Sequence, residues 1–306
     1  MRVLSQFGGG ISKEITDAVP EVEVVEVPTD GDVDPTVEGE VLLAMHRSAT
    51  LPELASRGVR WVHNFGTGVD GFPQEVYAGR TVTCSRGAGA VPISEFVLAT
   101  MLAFEKDVPD VWLHEPPKHW SWAQLGQLHG RTLGLIGLGG IGTAIASRAL
   151  AFEMRVVATR RSHAPSPLAG VEVVDLSRLL PAADHLVVAA PATANTRHLV
   201  DASALASVKP GVHIVNIARG SLIDQDALRV ALDDDRVARA SLDVCDPEPL
   251  PAGHWLYAHP KVRLSAHISW SSPDLYNRIL ELFVANLRRY LAGEPLEGVV
   301  DPVEGY

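Results

Sequence analysis

The sequence predicts an α/β protein built on doubly wound parallel sheets. Three observations carry that expectation. A short apolar run, Leu133, Leu135 and Ile136, leads into Gly137, Gly139 and Gly142, which are spaced G-x-G-x-x-G and followed by a helical pattern. Strand and helix signals alternate on both sides of this stretch, as a covered parallel sheet requires. The 306 residues, 46 % of them hydrophobic and 21 % charged, leave room for two ordered domains.

The glycine spacing has a physical use. The first glycine permits the tight turn out of a strand, the second lets backbone approach a pyrophosphate, and the third lets the new helix pack on the strand. The helix N-terminus supplies N–H groups and partial positive charge to the phosphates. Ala144, Ile145, Ala146, Ala149 and Leu150 continue at helical spacing, so the context is strand, turn, helix.

In chain order, residues 2–7 read as a strand broken by Gly8, Gly9 and Gly10. Ser12 is placed as the cap of a short helix carrying Ile15 and Val19. Strands follow over 22–27 and 41–44, separated by a solvated loop over 29–38. A short helix over 51–57, capped near Thr50, precedes a strand over 61–64. The loop 64–70, Asn-Phe-Gly-Thr-Gly-Val-Asp, offers backbone N–H groups around Gly68 and Val69 to an anion. Ile93, Phe96, Val97, Thr100, Met101 and Phe104 mark a long helix expected to cross between domains. Pro92 suits its first turn and Glu95 its positive end. Pro109, Pro116 and Pro117 mark a linker, and Trp112, Trp120 and Trp122 near it are read as packing or interface residues.

Beyond the glycine helix, further strands are expected over 155–159, 185–190, 212–217, 238–242 and 262–265, with helices over 203–207, 224–232 and 273–291. A sheet of this kind binds ligands at the carboxyl ends of its strands. Arg160, Arg161 and Ser162 follow one strand end, where an NAD-binding domain carries an acid for the ribose hydroxyls. A 2′-phosphate suits Arg160 better. A charge-assisted hydrogen bond of roughly 1.5–3 kcal/mol corresponds to a preference for NADP of about ten- to a hundredfold. Pro191 ends another strand beside the expected cofactor. Arg219, Asp243 and His267 stand at three further strand ends, and Glu248 follows in the loop 246–249.

Such a set suits hydride transfer to a 2-keto acid. His267 can protonate the carbonyl oxygen, since imidazole is the side chain suited to proton transfer near neutral pH. Glu248 beside it favours imidazolium and orients the ring. Arg219 offers a guanidinium fork to the substrate carboxylate, with the N–H groups around Gly68 and Val69 on the carboxylate's other side. Asp243 is placed near the nicotinamide amide.

Composition narrows the partners. The formal net charge of −11 weighs against nucleic acid and anionic membrane surfaces. Two distant cysteines, Cys84 and Cys245, imply neither a disulfide framework nor a zinc site, and no metal is expected. No apolar run reaches ~20 residues, and the opening MRVLSQFGGG lacks a secretory h-region. The expectation is a protein of the reducing cytoplasm, taking a small 2-keto or 2-hydroxy acid.

The sequence resembles the D-isomer-specific 2-hydroxy-acid dehydrogenases. NFGTGVDG at 64–71, LIGLGGIG at 135–142, NIARGSLID at 216–224, LDVCDPEPLP at 242–251 and SAHIS at 265–269 carry the resemblance. It implies a Rossmann-type doubly wound sheet over 98–272, and a smaller flavodoxin-like substrate domain, discontinuous in sequence, from 1–97 and 273–306. It places the family's catalytic arginine, glutamate and histidine on Arg219, Glu248 and His267. The family's cofactor contacts fall on Gly140, Ile141, Ile217, Ala218 and Asp243. It also implies a homodimer. TRRS at 159–162 is similar to the NADPH-using glyoxylate and hydroxypyruvate reductases, so NADP is the expected cofactor ahead of NAD. Formate dehydrogenases of the family carry Gln where Glu248 stands here. Ser269 and Trp270 replace the small residues often found just after the histidine, where Trp270 narrows or covers the pocket or stands as an exposed or packed indole. Two other functions fit the same motifs: a dinucleotide-sensing co-repressor, and an oxidoreductase for an inorganic anion such as phosphite.

Overall fold

The structure, a computed structural model, describes residues 1–162, 164–303 and 305–306. The chain divides into two compact units, Met1–Gly89 with Ser272–Tyr306, and Ala90–Ser271. The first unit runs β1 (Arg2–Ser5), α1 (Gly10–Ala18), β2 (Glu23–Glu26), β3 (Val41–Ala44), α2 (Leu51–Ser56), β4 (Trp61–Asn64), α3 (Gln74–Tyr77) and β5 (Thr81–Cys84). The second runs α4 (Ala90–Glu105), β6 (Thr132–Ile136), α5 (Gly140–Ala151), β7 (Arg155–Thr159), β8 (Val171–Val173), α6 (Leu176–Leu179), β9 (His185–Val188), α7 (Ala202–Ser207) and β10 (Val212–Asn216). It continues through a 3₁₀ turn (Gly220–Leu222), α8 (Gln225–Asp233), β11 (Val237–Leu242), α9 (Trp255–Ala258) and β12 (Val262–Leu264). Helix α10 (Leu275–Ala292) returns to the first unit.

Among the described residues, the first unit holds a five-stranded parallel sheet of order β2-β1-β3-β4-β5. Strand β3 shows why it is covered on both faces. All four of its residues are buried; Leu42 and Ala44 join one apolar cluster, Val41 and Leu43 the other. Helix α10 closes the second face, its Phe283 ring 5.4 Å from Trp61 of β4. The chain end pairs with β5 through Thr83 and Val299.

The second unit's seven strands are parallel, in the order β12-β11-β10-β9-β6-β7-β8. The order reverses between β6 and β9, and that reversal opens a crevice at the carboxyl ends of the strands. Apolar side chains of β6 divide between two clusters: Leu133 and Leu135 face α4 and α5, while Ile136 joins the side of α7 and α8. Asp224 caps α8 by accepting from the Asp226 and Ala227 amides at 3.1 Å.

Several sequence expectations are corrected. Helix α1 starts at Gly10 with Gly9 (φ 60°) at its cap, and the Ser12 hydroxyl lies inside it, donating to the Phe7 carbonyl at 3.0 Å. Helix α4 belongs whole to the second unit, so the unit boundary falls at 89/90 rather than eight residues into the helix. Trp112, Trp120 and Trp122 are 64, 78 and 83 % exposed, so they fill no core of this chain. No helix among the described residues is long and apolar enough to cross a membrane.

Candidate active site

The glycine turn sits at the crevice. Gly137 has φ +106°, and a Cβ on it would lie 2.8 Å from the backbone of Ala189 and Ala190 after β9. A Cβ on Gly142 would lie 2.2 Å from the Gly137 carbonyl oxygen. These two glycines are therefore required by the protein's own packing. Gly139 is different: a Cβ there would meet nothing within 4 Å, and Gly139 and Gly140 are exposed. The first helical hydrogen bond of α5 runs from the Thr143 amide to the Gly139 carbonyl at 2.8 Å, and no side chain caps the helix. The amides of Gly140, Ile141 and Gly142 lie ahead of that bond and turn an uncapped positive helix end outward. An open cradle with those donors fits a dinucleotide pyrophosphate. Pro191, exposed, follows β9 on the other side of the crevice.

Arg160 follows β7 directly. Its Nη1 donates to the carbonyl of Pro165 at 2.8 Å and that of Ala164 at 3.4 Å, so the guanidinium lies along its own loop. Arg161 and Ser162 beside it are exposed.

Three adjacent strand ends carry the remaining candidates. After β10, the buried Asn216 holds the turn that presents Arg219. Its Oδ1 accepts from the Ala218 amide at 3.0 Å and its Nδ2 donates to the Arg219 carbonyl at 2.9 Å. Ile217 is buried and Ala218 half-buried, and Arg219 Nη1 reaches the Ala218 carbonyl at 2.6 Å. A Cβ on Gly220 would lie 1.9 Å from the Cys245 carbonyl carbon. Only glycine lets the Arg219 turn press against the loop that follows β11.

That loop carries Glu248, and the structure joins it to the histidine. Glu248 Oε1 accepts from the Cys245 amide at 3.1 Å, and Oε2 lies 3.0 Å from His267 Nδ1. Carboxylate and imidazole are half-buried. They share the wall of a cavity of about 560 Å³ with Asp243, Cys245, Leu250 and Leu264. Burial, then the charges of Glu248 and Asp246, push the Cys245 thiol up to about 11, so this cysteine is protonated at neutral pH and is a poor nucleophile.

Asp243, expected at the nicotinamide, engages both oxygens within the protein. Oδ1 accepts from the Ser265 hydroxyl at 2.6 Å and the Ile268 amide at 2.9 Å; Oδ2 accepts from the Ser269 amide at 2.9 Å. Burial pushes its pKa up. The bonds from Ser265, Ser269 and Ile268 outweigh that, and the net shift is downward from the usual carboxylate value. Asp243 thus anchors the segment that carries His267. Asn216 and Ser265 were not singled out from sequence, and Ser269 only as a departure beside Trp270; a polar residue at a strand end was the one signal available.

In the first unit, Asn64 ends β4 and is fully buried. Its Nδ2 donates to the carbonyls of Gly66 at 3.1 Å and Gly68 at 2.7 Å, bracing the loop of Gly68 and Val69. Val69 turns its side chain into the core.

Residues 98–269 match the sequence profile described as D-isomer specific 2-hydroxyacid dehydrogenase, NAD binding domain. The chain belongs to the D-isomer specific 2-hydroxyacid dehydrogenases. It is 30 % identical over 251 residues to a glyoxylate reductase of Thermofilum pendens, covering 78 % of this chain and 74 % of the relative. It is 29 % identical over 299 residues to a D-3-phosphoglycerate dehydrogenase of Methanocaldococcus jannaschii, of which it spans 57 %. The crystal structure of a D-isomer specific 2-hydroxyacid dehydrogenase from Xanthobacter autotrophicus Py2, in complex with NADPH and MES, superposes with a TM-score of 0.85 at 27 % identity. That match covers 100 % of this chain and 99 % of that one. The glycine cradle is therefore part of this family's nicotinamide-dinucleotide domain, and the chain is an NAD(P)-dependent oxidoreductase of 2-hydroxy acids.

Proposed function

We propose that this protein is an NADP-preferring reductase of small 2-keto acids such as glyoxylate or hydroxypyruvate, forming the D-2-hydroxy acid reversibly. The observation that carries the reading is the Glu248–His267 hydrogen bond of 3.0 Å beside the strand end of Arg219. Nicotinamide, when bound, supplies the hydride. Gly137, Gly139, Gly140, Ile141 and Gly142 hold the pyrophosphate, and the crevice between Pro191 and the Ile217–Ala218 backbone takes the rest of the dinucleotide.

His267 holds the proton that the carbonyl oxygen receives. Its Nδ1 faces Glu248, so Nε2 is the atom that donates. Glu248 orients the ring through this bond, and its other oxygen, tied to the Cys245 amide, stops the carboxylate from turning away. One proton and one hydride then reduce the ketone to the alcohol. Arg219 pairs with the substrate carboxylate, for which a planar fork suits better than lysine's point charge. In the first unit, the loop braced by Asn64 offers further N–H donors to a carboxylate around Gly68 and Val69.

The NADP preference rests on Arg160 standing where NAD-using relatives carry an acid, and it agrees with the NADPH bound in the Xanthobacter enzyme. We assign the protein a homodimeric state as well, supported by the exposed Trp112, Leu113, Trp120, Trp122 and Leu125. A spectrophotometric panel of 2-keto acids against both cofactors tests the reading. It predicts NADPH oxidation with glyoxylate or hydroxypyruvate well ahead of NADH. Absence of turnover with every keto acid, or a clear lead for NADH, would count against it.

A further inference from the structure

His267 stands in a backbone conformation that a residue with a side chain seldom adopts: φ is +54°. Such a residue persists where its surroundings over-determine it. Three ties do so here. The His267 amide donates to the Asp243 carbonyl at 2.8 Å. The two amides that follow, of Ile268 and Ser269, donate to the Asp243 carboxylate at 2.9 Å each. The third tie comes from the other direction: the Trp270 indole Nε1–H donates to the His267 carbonyl at 2.6 Å.

Trp270 is 38 % exposed, so it is not a core filler whose position packing alone would fix. Among the described residues, its directed contact is the indole N–H on the histidine's own carbonyl. Asp243 fixes the peptide plane entering His267 and holds the amide edge of the plane leaving it, and the Trp270 bond holds the carbonyl edge of that second plane. Between them the Cα–Cβ bond is aimed at Glu248.

We propose that Trp270 is a positioning residue for His267: its indole N–H holds the left-handed backbone that keeps the imidazole on Glu248. This role rests on the reading of His267 as the proton donor. Arg219 lies on the 217–220 turn held by Asn216, outside the Trp270 tie. Losing the tie therefore disturbs proton delivery and leaves carboxylate binding in place. Phenylalanine keeps a ring but has no donor. An isostere with sulfur in place of the N–H keeps the whole outline of the indole.

The test compares the wild type, W270F, and the protein with 3-benzothienylalanine at position 270, using glyoxylate and NADPH at one pH. His267 ring ¹⁵N shifts are recorded on the same three proteins without substrate. Both substitutions are expected to lower kcat by about 10- to 100-fold, with KM for glyoxylate within about twofold. They are also expected to shift the His267 ring signals away from the wild-type pattern of a Glu248-bonded Nδ1. Wild-type kcat and wild-type ring signals in the isostere would overturn the proposal, because the N–H would then be dispensable. The isostere keeps the indole shape, so it remains informative if W270F does not fold. H267N separates the two readings: if it turns over as fast as the wild type, the assignment of the acid fails, while the ring signals still decide whether Trp270 positions His267.

Discussion

At the scale of single residues, the proposed cofactor preference rests on position 160. Arg160 is drawn along its own loop by the Ala164 and Pro165 carbonyls, within the stretch after β7 where a ribose is read. Arg160→Asp is expected to move the NADPH/NADH ratio of kcat/KM toward NADH by about ten- to a hundredfold, since it removes a charge-assisted bond. An unmoved ratio would mean that Arg160 only braces its loop. The candidate site residues Arg219, Glu248 and His267 could be singled out in the sequence because two of them stand at strand ends and the third in the loop that follows one, and the structure brings Glu248 and His267 together. The residues that hold them could not. Asn216 bonds the backbone of its own turn, while the Ser265 hydroxyl and the Ser269 amide donate to the Asp243 carboxylate, and periodicity registers none of these bonds. Trp270 could be seen as unusual but not oriented.

At the scale of elements, the end of β11 and the segment 265–269 act as one piece through Asp243. Its carboxyl pKa is lowered in the folded protein, so it stabilises the fold above the ordinary carboxylate range, and that contribution is lost as pH falls through the lowered value. Asp243→Asn keeps one acceptor oxygen and puts an N–H₂ group against one of the two backbone amides that need an acceptor. It is expected to cost about 2–3 kcal/mol at pH 7, with the gap from wild type shrinking below pH about 4. Thermal unfolding of both proteins across that range checks it; a gap independent of pH would show that the carboxylate charge is not what anchors the segment. Long strands and helices were readable here, but β5, β8, α6 and α9 were not. Each is three or four residues long. Strand β5, Thr-Val-Thr-Cys, has one aliphatic side chain and is defined by its pairing with β4 and by the Val299 and Val300 end of the chain. Such elements exist because of partners distant in sequence, which a local pattern cannot contain. The start of α1 was missed because Gly9, with φ 60°, stands at the cap position without any side-chain capping bond, where a serine cap was expected.

At the scale of the molecule, the segment 112–125 leaves Trp112, Leu113, Trp120, Trp122 and Leu125 exposed. Exposed apolar side chains gathered in one segment are characteristic of an interface. Light scattering coupled to size exclusion is expected to give a dimer for the wild type, and a weakened one when Trp120 and Trp122 are both replaced by serine. A wild-type monomer would remove the dimer from the account. Net charge and the domain count, by contrast, follow from composition and length alone, and the parallel sheets follow from strand–helix alternation whatever the details of each loop.

The central claim is that His267, held by Glu248, delivers the proton during keto-acid reduction. Its most direct test is the turnover of H267N with glyoxylate and NADPH, alongside NADPH binding by fluorescence titration. Turnover is expected to fall by about 10²- to 10⁴-fold while the Kd for NADPH stays within about threefold of wild type. Turnover within a few-fold of wild type, at intact NADPH binding, would contradict it.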